Sequence, residues 1–443
     1  VPNTDAQFQD MLAEIGVGSF EDLLSAVPPQ LRQCELEVPQ GLAEAEVLGL
    51  CERLASRNRP ASQHTSFLGA GCFHHLIPTV VDAVSARGEW LTPYTPYQAE
   101  ASQGILQAIY EFQTMVCELF QMEVANASLY DGASSAAEAT VLSLRATKRT
   151  RVVISEAVHP HTRAVVASYV SDMEAILQEI PTVNGVTDLE ALRRALVGED
   201  VACVILQQPN VFGNLEPMTT ACEMTRQVGG LFVASVYPIS LGLLEPPGAY
   251  GADIAVAEGR CLGSPIAYGG PGLGLFATTQ RWLRRIPGRL AGCSQDAAGC
   301  RAFTLTLQTR EQHIRRERAT SNICTNEGWL MLRATIFLSL LGAQGMRELA
   351  RRNLEQAHEA RRRLLEVPWI SPAFDQPFFN EFTLQYDPAV NLDTVQRRLS
   401  RAGVIGGLPL RRWFPSMPQA CLWCVTELIS RDEIERTVDL LKK

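Results

Sequence analysis

Val201-Ala202-Cys203-Val204-Ile205-Leu206 is followed, one helix-length later, by Leu231-Phe232-Val233-Ala234-Ser235-Val236. Neither run alternates apolar with polar residues, which is how strands covered on both faces read. The interval carries helix signals: Thr220-Ala221-Cys222-Glu223 has the spacing of a capping box, and Gly229 supplies a stop. A strand, a helix and a second strand of these lengths imply parallel neighbours joined by a crossover. Working outward, Arg151–Ser155, Asp253–Ala257 and Leu273–Ala277 repeat the same apolar texture. Helices are expected at Gln103–Leu119 and Ala136–Thr147, and Thr187-Asp188-Leu189-Glu190 fits the start of another. The expected fold class is α/β, with a mainly parallel, doubly wound sheet in a large domain.

The flanks read differently. Ser19-Phe20-Glu21-Asp22-Leu23-Leu24 opens a short helix, Pro28-Pro29 stops it, and Leu42 to Leu54 carries apolar residues three and four apart. Gly69-Ala70-Gly71 begins a loop-rich stretch, with a short helix expected after Pro78. From Glu311 to Glu366 a charged and then apolar helical region is expected, with Trp329, Leu332, Ile336, Phe337, Leu340 and Leu341 at helical spacing. The chain closes with expected strands at Glu381–Tyr386 and Ala420–Thr426 and expected helices at Asn391–Ala402 and Arg431–Leu441. The expected organisation is a helical segment over 1–60, a large α/β domain over 61–310, and a connecting helix with a small α+β C-terminal domain over 311–443.

With 443 residues, 46% of them hydrophobic and 20% charged, the chain has the apolar material for a large core. Thirty-nine basic residues against 48 acidic ones give a net charge of −9, which argues against nucleic acid or an anionic membrane as the main partner. The most apolar stretch, Trp329 to Leu341, is interrupted by Arg333. Val1 to Asp10 lacks the basic-then-apolar pattern of a secretory signal, and 12 cysteines without framework spacing suit a reducing compartment. A cytoplasmic location is expected. Only three basic residues are lysines, Lys148, Lys442 and Lys443. Chemistry that needs a lysine amine to hold a carbonyl cofactor has no candidate between them.

Three polar strings carry the candidate chemistry. In Tyr130-Asp131-Gly132-Ala133-Ser134-Ser135-Ala136-Ala137-Glu138, small residues and free first-turn N–H groups suit a phosphate or carboxylate near Ser134 and Ser135. Ser135 with Glu138 also fits a plain capping box. Thr92-Pro93-Tyr94-Thr95-Pro96-Tyr97, followed by Gln98 and Glu100, places two phenols on a loop stiffened by two X-Pro bonds. That loop is either one wall of a polar pocket or a surface turn. Thr309 to Asn322 packs Arg310, Arg315, Arg316 and Arg318 into nine residues. Their forks fit carboxylate or phosphate oxygens, and Glu311 with Arg315 equally fits a solvated helix face. Gly269–Gly274 lacks the helix and acidic residue of a dinucleotide loop. Cys421 and Cys424, three apart on a strand, face opposite ways, and His159-Pro160-His161 has no second ligand pair, so no metal site is expected.

Thr92–Gly104, Glu258–Gly274, Pro287-Gly288-Arg289 with Asp296, and above all Thr309–Asn326 resemble the P-protein family of the glycine cleavage system, glycine dehydrogenase (decarboxylating), at subunit 1 of its two-subunit form. The resemblance implies fold type I of the pyridoxal-phosphate (PLP) enzymes. It implies a PLP-bearing subunit 2 as partner and lipoamide supplied by the lipoylated H-protein, in a heterotetramer. The reaction it implies is decarboxylation of glycine, with the aminomethyl group passed to the lipoyl arm. Thr92, Tyr94, Tyr97 and Glu100 are then expected to face that pocket as orienting and proton-relay groups. Gln98, Ser134, Ser135, Arg315, Arg316, Arg318 and Asn322 complete the candidate set as contacts to substrate, an anion or the partner. A PLP enzyme of this fold needs a lysine after the later strands and an aspartate at a strand end. Here Leu231–Pro238 has no acidic residue and Glu258–Pro265 has no lysine. The chain is therefore expected to keep the scaffold without its own cofactor and to be inactive alone. A self-sufficient PLP decarboxylase or aldolase, and a non-catalytic scaffold of the same fold, are the alternatives.

Overall fold

The computed structural model describes residues 3–32, 38–91 and 93–443. The chain divides into two units, Val1–Arg59 and Pro60–Lys443. In the first, helices span Asp5–Ile15, Phe20–Leu23 and Glu44–Ala55. Ser19 caps the second by accepting from the Asp22 N–H, while the Asp22 carboxylate accepts from the Ser19 N–H at 2.9 Å. Asp5–Ile15 has no counterpart among the expected elements. Its polar first turn hides a capping box formed by Thr4 and Gln7.

The second unit is built on a seven-stranded sheet. Its strands are β1 (Val124–Ala125), β2 (Arg151–Ser155), β3 (Ile176–Ile180), β4 (Val201–Gln208), β5 (Leu231–Val236), β6 (Ile254–Glu258) and β7 (Gly274–Thr278). Their spatial order is β1-β7-β6-β5-β4-β2-β3. Strands β2 to β6 pair in parallel, and β7 runs antiparallel to both β6 and β1. The sheet is thus mainly parallel, as its apolar runs require. The edge strand β3 escapes that reading because only Ile180 of its five residues is buried, and β1 because it is two residues long.

Alternate residues of the central strands enter opposite cores. Val204 and Leu206 of β4 join the apolar cluster around helix α1 (Gln103–Phe120), with Phe112 and Val116. Cys203 and Ile205 join the cluster around helices α2 (Gly132–Thr147) and α3 (Pro160–Val170), with Leu142 and Val166. Each fully buried aliphatic side chain contributes about 1.5–3 kcal/mol, so two covered faces explain the absence of alternation.

Several helix starts differ from expectation. Helix α2 begins at Gly132, not Ala136, because Asp131 rather than Ser135 is its cap. Asp188, not Thr187, caps Leu189–Ala195. Helix α4 (Met218–Gln227) begins two residues before Thr220. Residues 311–327 do not continue the following helix: they form a short turn of helix at Gln312–Arg315, a 3₁₀ turn at Arg316–Arg318 and then extended chain. Helix α5 (Gly328–Leu364) starts only at Gly328 and is broken at Gly342, whose φ of 57° and ψ of −173° only glycine adopts readily. By length and composition α5 could cross a membrane, but half of its most apolar window is buried in the fold, as a core helix would be.

A four-stranded sheet closes the chain, from Ile370–Pro372, Glu381–Tyr386, Ala420–Cys424 and Leu408–Pro409, with helices α6 (Leu392–Arg401) and α7 (Arg431–Lys442). Cys421 and Cys424 are buried free thiols, approached by Gln396 Nε2 at 4.0 Å and Asn380 Nδ2 at 3.7 Å respectively.

Candidate functional site

In open parallel sheets, ligands bind beyond the carboxyl ends of the strands. Here that crevice is lined by the ends of β5 and β6 and the start of α2. Asp131 Oδ1 accepts from the Ser134 N–H at 2.7 Å. Glu258, the last residue of β6, accepts from the Gly132 N–H at 3.1 Å with Oε2, and from the Arg260 and Leu273 N–H groups at 3.0 and 2.9 Å with Oε1. Two carboxylates of the chain itself thus occupy the positive end of α2, where an external anion would otherwise be favoured. Burial pushes the Glu258 carboxyl above the ordinary range, opposed by those backbone hydrogen bonds. Gly272 is required by this packing. A Cβ there would stand 2.6 Å from the Asp131 Cβ and 2.9 Å from Glu258 Oε2. Ser135 is fully buried inside α2, its Oγ donating to the Asp131 carbonyl at 2.8 Å. Glu138 does not cap the helix. It is buried further along α2, and burial pushes its carboxyl up to about 7.

The end of β5 is filled as well. Tyr237 follows that strand, and its hydroxyl bonds His75 Nε2, while His75 Nδ1 lies 2.8 Å from Glu427 Oε2. A carboxylate only accepts, so the Nδ1 contact is a donation from the imidazole to Glu427. Asn353 Nδ2 donates to the same Glu427 oxygen at 3.0 Å, and the Phe73 ring packs 4.3 Å from that of Tyr237. Beside them the buried Glu381 accepts from the Ala70 N–H at 2.7 Å, and burial pushes its carboxyl up to about 7.

PLP does not fit these residues. Its phosphate would meet Asp131 and Glu258, and its ring nitrogen would meet a phenol rather than a carboxylate. No lysine reaches the crevice: Lys148 caps the opposite end of α2, and Lys442 lies 3.3 Å from Glu366.

A second polar region faces outward. Three of the strings read from the sequence meet at Arg289, which is only 3% exposed. Its Nη1 donates to Glu311 Oε2 at 2.9 Å, and its Nη2 donates to Tyr97 Oη at 2.9 Å and to the Cys324 carbonyl at 2.5 Å. The guanidinium also lies over the Tyr97 ring, 4.8 Å from its centroid. Arg310, also buried, donates to the carbonyls of Ile286 and Gly288 and so holds the turn that presents Arg289. Asn126 Nδ2 supports the same turn through the Pro287 carbonyl at 2.9 Å.

Around this clamp lie most of the sequence-predicted residues. Tyr94 is 85% and Tyr97 52% exposed, and Gln98 and Glu100 are exposed beside them. Arg315, Arg316, Arg318 and Asn322 are exposed on the string that Arg289 ties to this loop, with Asn322 Oδ1 accepting from Gln312 Nε2 at 3.4 Å. The His313 ring meets the Tyr97 ring edge-on at 5.5 Å. Thr92 lies outside the described residues. Ser134 and Ser135 belong to the filled crevice instead. Arg289, Arg310 and Glu311 were absent from the candidate set although all three lie in the quoted strings. An arginine and a glutamate become informative only when burial shows that they are paired.

Similarity follows the whole chain. The family described as Glycine cleavage system P-protein matches residues 1–441. The probable glycine dehydrogenase (decarboxylating) subunit 1 of Moorella thermoacetica is 47% identical over 445 residues, covering 100% of this chain and 98% of its own. A crystal structure of glycine decarboxylase (P-protein) of the glycine cleavage system, in inhibitor-bound form, superposes with a TM-score of 0.92 at 43% identity, covering 100% of this chain and 99% of that one. A variant of C-DES with glycine covalently linked to the PLP cofactor shares the fold at 16% identity and a TM-score of 0.63, covering 86% of this chain and 97% of that one.

Proposed function

Because this chain belongs to the glycine cleavage system P-protein family, we propose that it is the subunit of glycine dehydrogenase (decarboxylating) that carries no PLP and completes an active site held by its partner. The partner is the PLP-bearing subunit 2, in a heterotetramer, and the free thiols among the described residues suit a cytoplasmic setting. One observation carries this reading. The chain's own crevice is filled by its own carboxylates, whereas Tyr94, Tyr97, Gln98, Glu100, Arg315, Arg316, Arg318 and Asn322 stand exposed around a buried clamp. Exposed polar side chains on an over-determined scaffold suit a site that another surface closes.

Bound on the partner, PLP supplies the electron sink for the bond that releases carbon dioxide. This chain's contribution is binding and orientation. Tyr94 and Tyr97 offer hydroxyls, Gln98 an amide, and Glu100 a carboxylate able to hold a proton next to the reacting carbon. Thr92 belongs to the same loop. Arg315, Arg316 and Arg318 present positive charge to a carboxylate, a phosphate or the partner surface. The lipoyl arm of H-protein then takes the aminomethyl group of glycine.

The test is reconstitution with subunit 2 and H-protein, measuring exchange of glycine carboxyl carbon with bicarbonate. Exchange is expected only with both subunits present, and Tyr94→Phe and Tyr97→Phe are each expected to lower it. Unchanged exchange in both variants would remove the phenols from the chemistry. Arg315→Ala is expected to weaken assembly or glycine binding, and a variant that moves neither would leave Arg315 a solvated surface residue.

A further inference from the structure

We infer that Arg289 is a positioning residue that fixes Tyr97 as an outward hydrogen-bond donor to an anionic oxygen of the bound ligand. This deepens the reading of the partner-completed site and rests on it. A guanidinium has donors and no acceptor, so the contact of Arg289 Nη2 with Tyr97 Oη at 2.9 Å makes the phenol oxygen the acceptor. The single phenol hydrogen is then left for something else. No group among the described residues accepts it, and the ring is half exposed while its anchor is buried.

The rest of the clamp removes the remaining freedom. Glu311 Oε2, 2.9 Å from Arg289 Nη1, neutralises the guanidinium, so Arg289 does not itself draw the anion inward. The Cys324 carbonyl takes the other hydrogen of Nη2, and the guanidinium lies across the Tyr97 ring. On the backbone, Pro96 is buried and the Tyr97 N–H donates to the Thr95 carbonyl at 2.9 Å. A phenol held at ring, oxygen and backbone loses little freedom on binding, and a donor prepared in this way strengthens charge-assisted contacts. A carboxylate on the substrate and a phosphate on the cofactor are both anionic oxygens, and the experiment separates them.

Tyr97→Phe, Arg289→Gln and the double variant are assayed in the complex reconstituted with subunit 2 and H-protein. If the acceptor is the substrate carboxylate, Tyr97→Phe raises the glycine KM about tenfold and changes kcat less than about threefold. If it is the cofactor phosphate, the same variant leaves that KM near wild type and weakens PLP retention about tenfold, read from cofactor absorbance after dialysis. Arg289→Gln moves the same quantity in the same direction and adds nothing in the Tyr97→Phe background. A normal KM and normal retention in Tyr97→Phe, beside an active wild-type complex, overturn the inference. So does an Arg289→Gln effect that multiplies undiminished in the Tyr97→Phe background, since that marks a merely structural role. If Arg289→Gln does not assemble, Tyr97→Phe decides alone. An inactive wild-type complex strikes the proposed function first, and the inference falls with it.

Discussion

The crevice beyond β5 and β6 and the face around Arg289 are both polar, and they are satisfied in opposite ways. In the crevice, each carboxylate that could attract a ligand already has its partners: Asp131 and Glu258 hold the start of α2, and Glu427 holds His75 and Asn353. Around Arg289 the anchor is buried and paired through both Nη atoms, yet Tyr94, Tyr97 and Glu100 are left exposed. Buried polar groups must be paired, so the crevice behaves as core. Groups held in place but left unpaired are what an incoming ligand or partner needs. One fold can thus fill its crevice from within and leave a neighbouring face open, the two being joined where the Cys324 N–H donates to Tyr130 Oη at 3.0 Å.

The sharpest way to break this contrast is Arg289→Ala. It strands Glu311 as a buried charge and releases the Cys324 carbonyl, so a loss of about 3–5 kcal/mol in unfolding free energy is expected by chemical denaturation. A loss below about 1 kcal/mol would show that the outer face has no rigid base.

Glu381 sharpens the crevice side. Its carboxyl is pushed from the usual 4.5 up to about 7, so the folded state binds the proton more tightly than the unfolded one. Its contribution to stability is complete below about pH 4.5 and is lost as pH rises through about 7. Glu381→Gln is expected to flatten the decline between pH 5 and 8 by roughly 2–3 kcal/mol, in urea titrations at each pH. Glu138, similarly raised, and Glu258, Glu216 and Asp253, raised by burial, would supply the decline that remains. An unchanged slope would mean that Glu381 stays ionised in the fold.

Gly272→Ala tests whether the crevice is filled. The added methyl meets Asp131 and Glu258, and a cost of about 1–3 kcal/mol is expected. A neutral substitution would mean that the carboxylates do not hold this position. The smallest effect is expected at Arg318, exposed and 3.7 Å from an equally exposed Glu317. Arg318→Ala should change the stability of the isolated chain by less than about 0.5 kcal/mol, with any loss confined to assembly or turnover of the complex.

Much of the fold was legible because it rests on burial of apolar runs. The strands Arg151–Ser155 and Leu231–Val236 and the core strand Glu381–Tyr386 emerge with the bounds the sequence suggests. Helix starts were less so, because several residues in each polar string qualify as caps. Asp131 precedes Gly132-Ala133-Ser134-Ser135, and choosing Ser135 shifted the start of α2 by four residues. Continuity also misled from Glu311 onward, where charged and then apolar residues at helical spacing suggested one helical region. Instead Arg289 claims Glu311 and the Cys324 carbonyl, and Arg310 reaches back to the carbonyls of Leu307 and Gly288, so the string closes into turns. The absence of lysine from the crevice was plain from composition, but the carboxylates that fill the crevice were not. Nothing local marks Glu258 as the partner of a helix 126 residues earlier.

The division between a filled crevice and an open face is tested most directly by trapping the cofactor. The reconstituted complex is treated with borohydride in the presence of PLP, and the intact mass of each chain is measured. The expected result is one PLP adduct on the partner subunit and none in stoichiometric amount on this chain. A stoichiometric adduct on this chain, at Lys148 or elsewhere, would contradict the division and return the chain to the self-sufficient PLP enzymes.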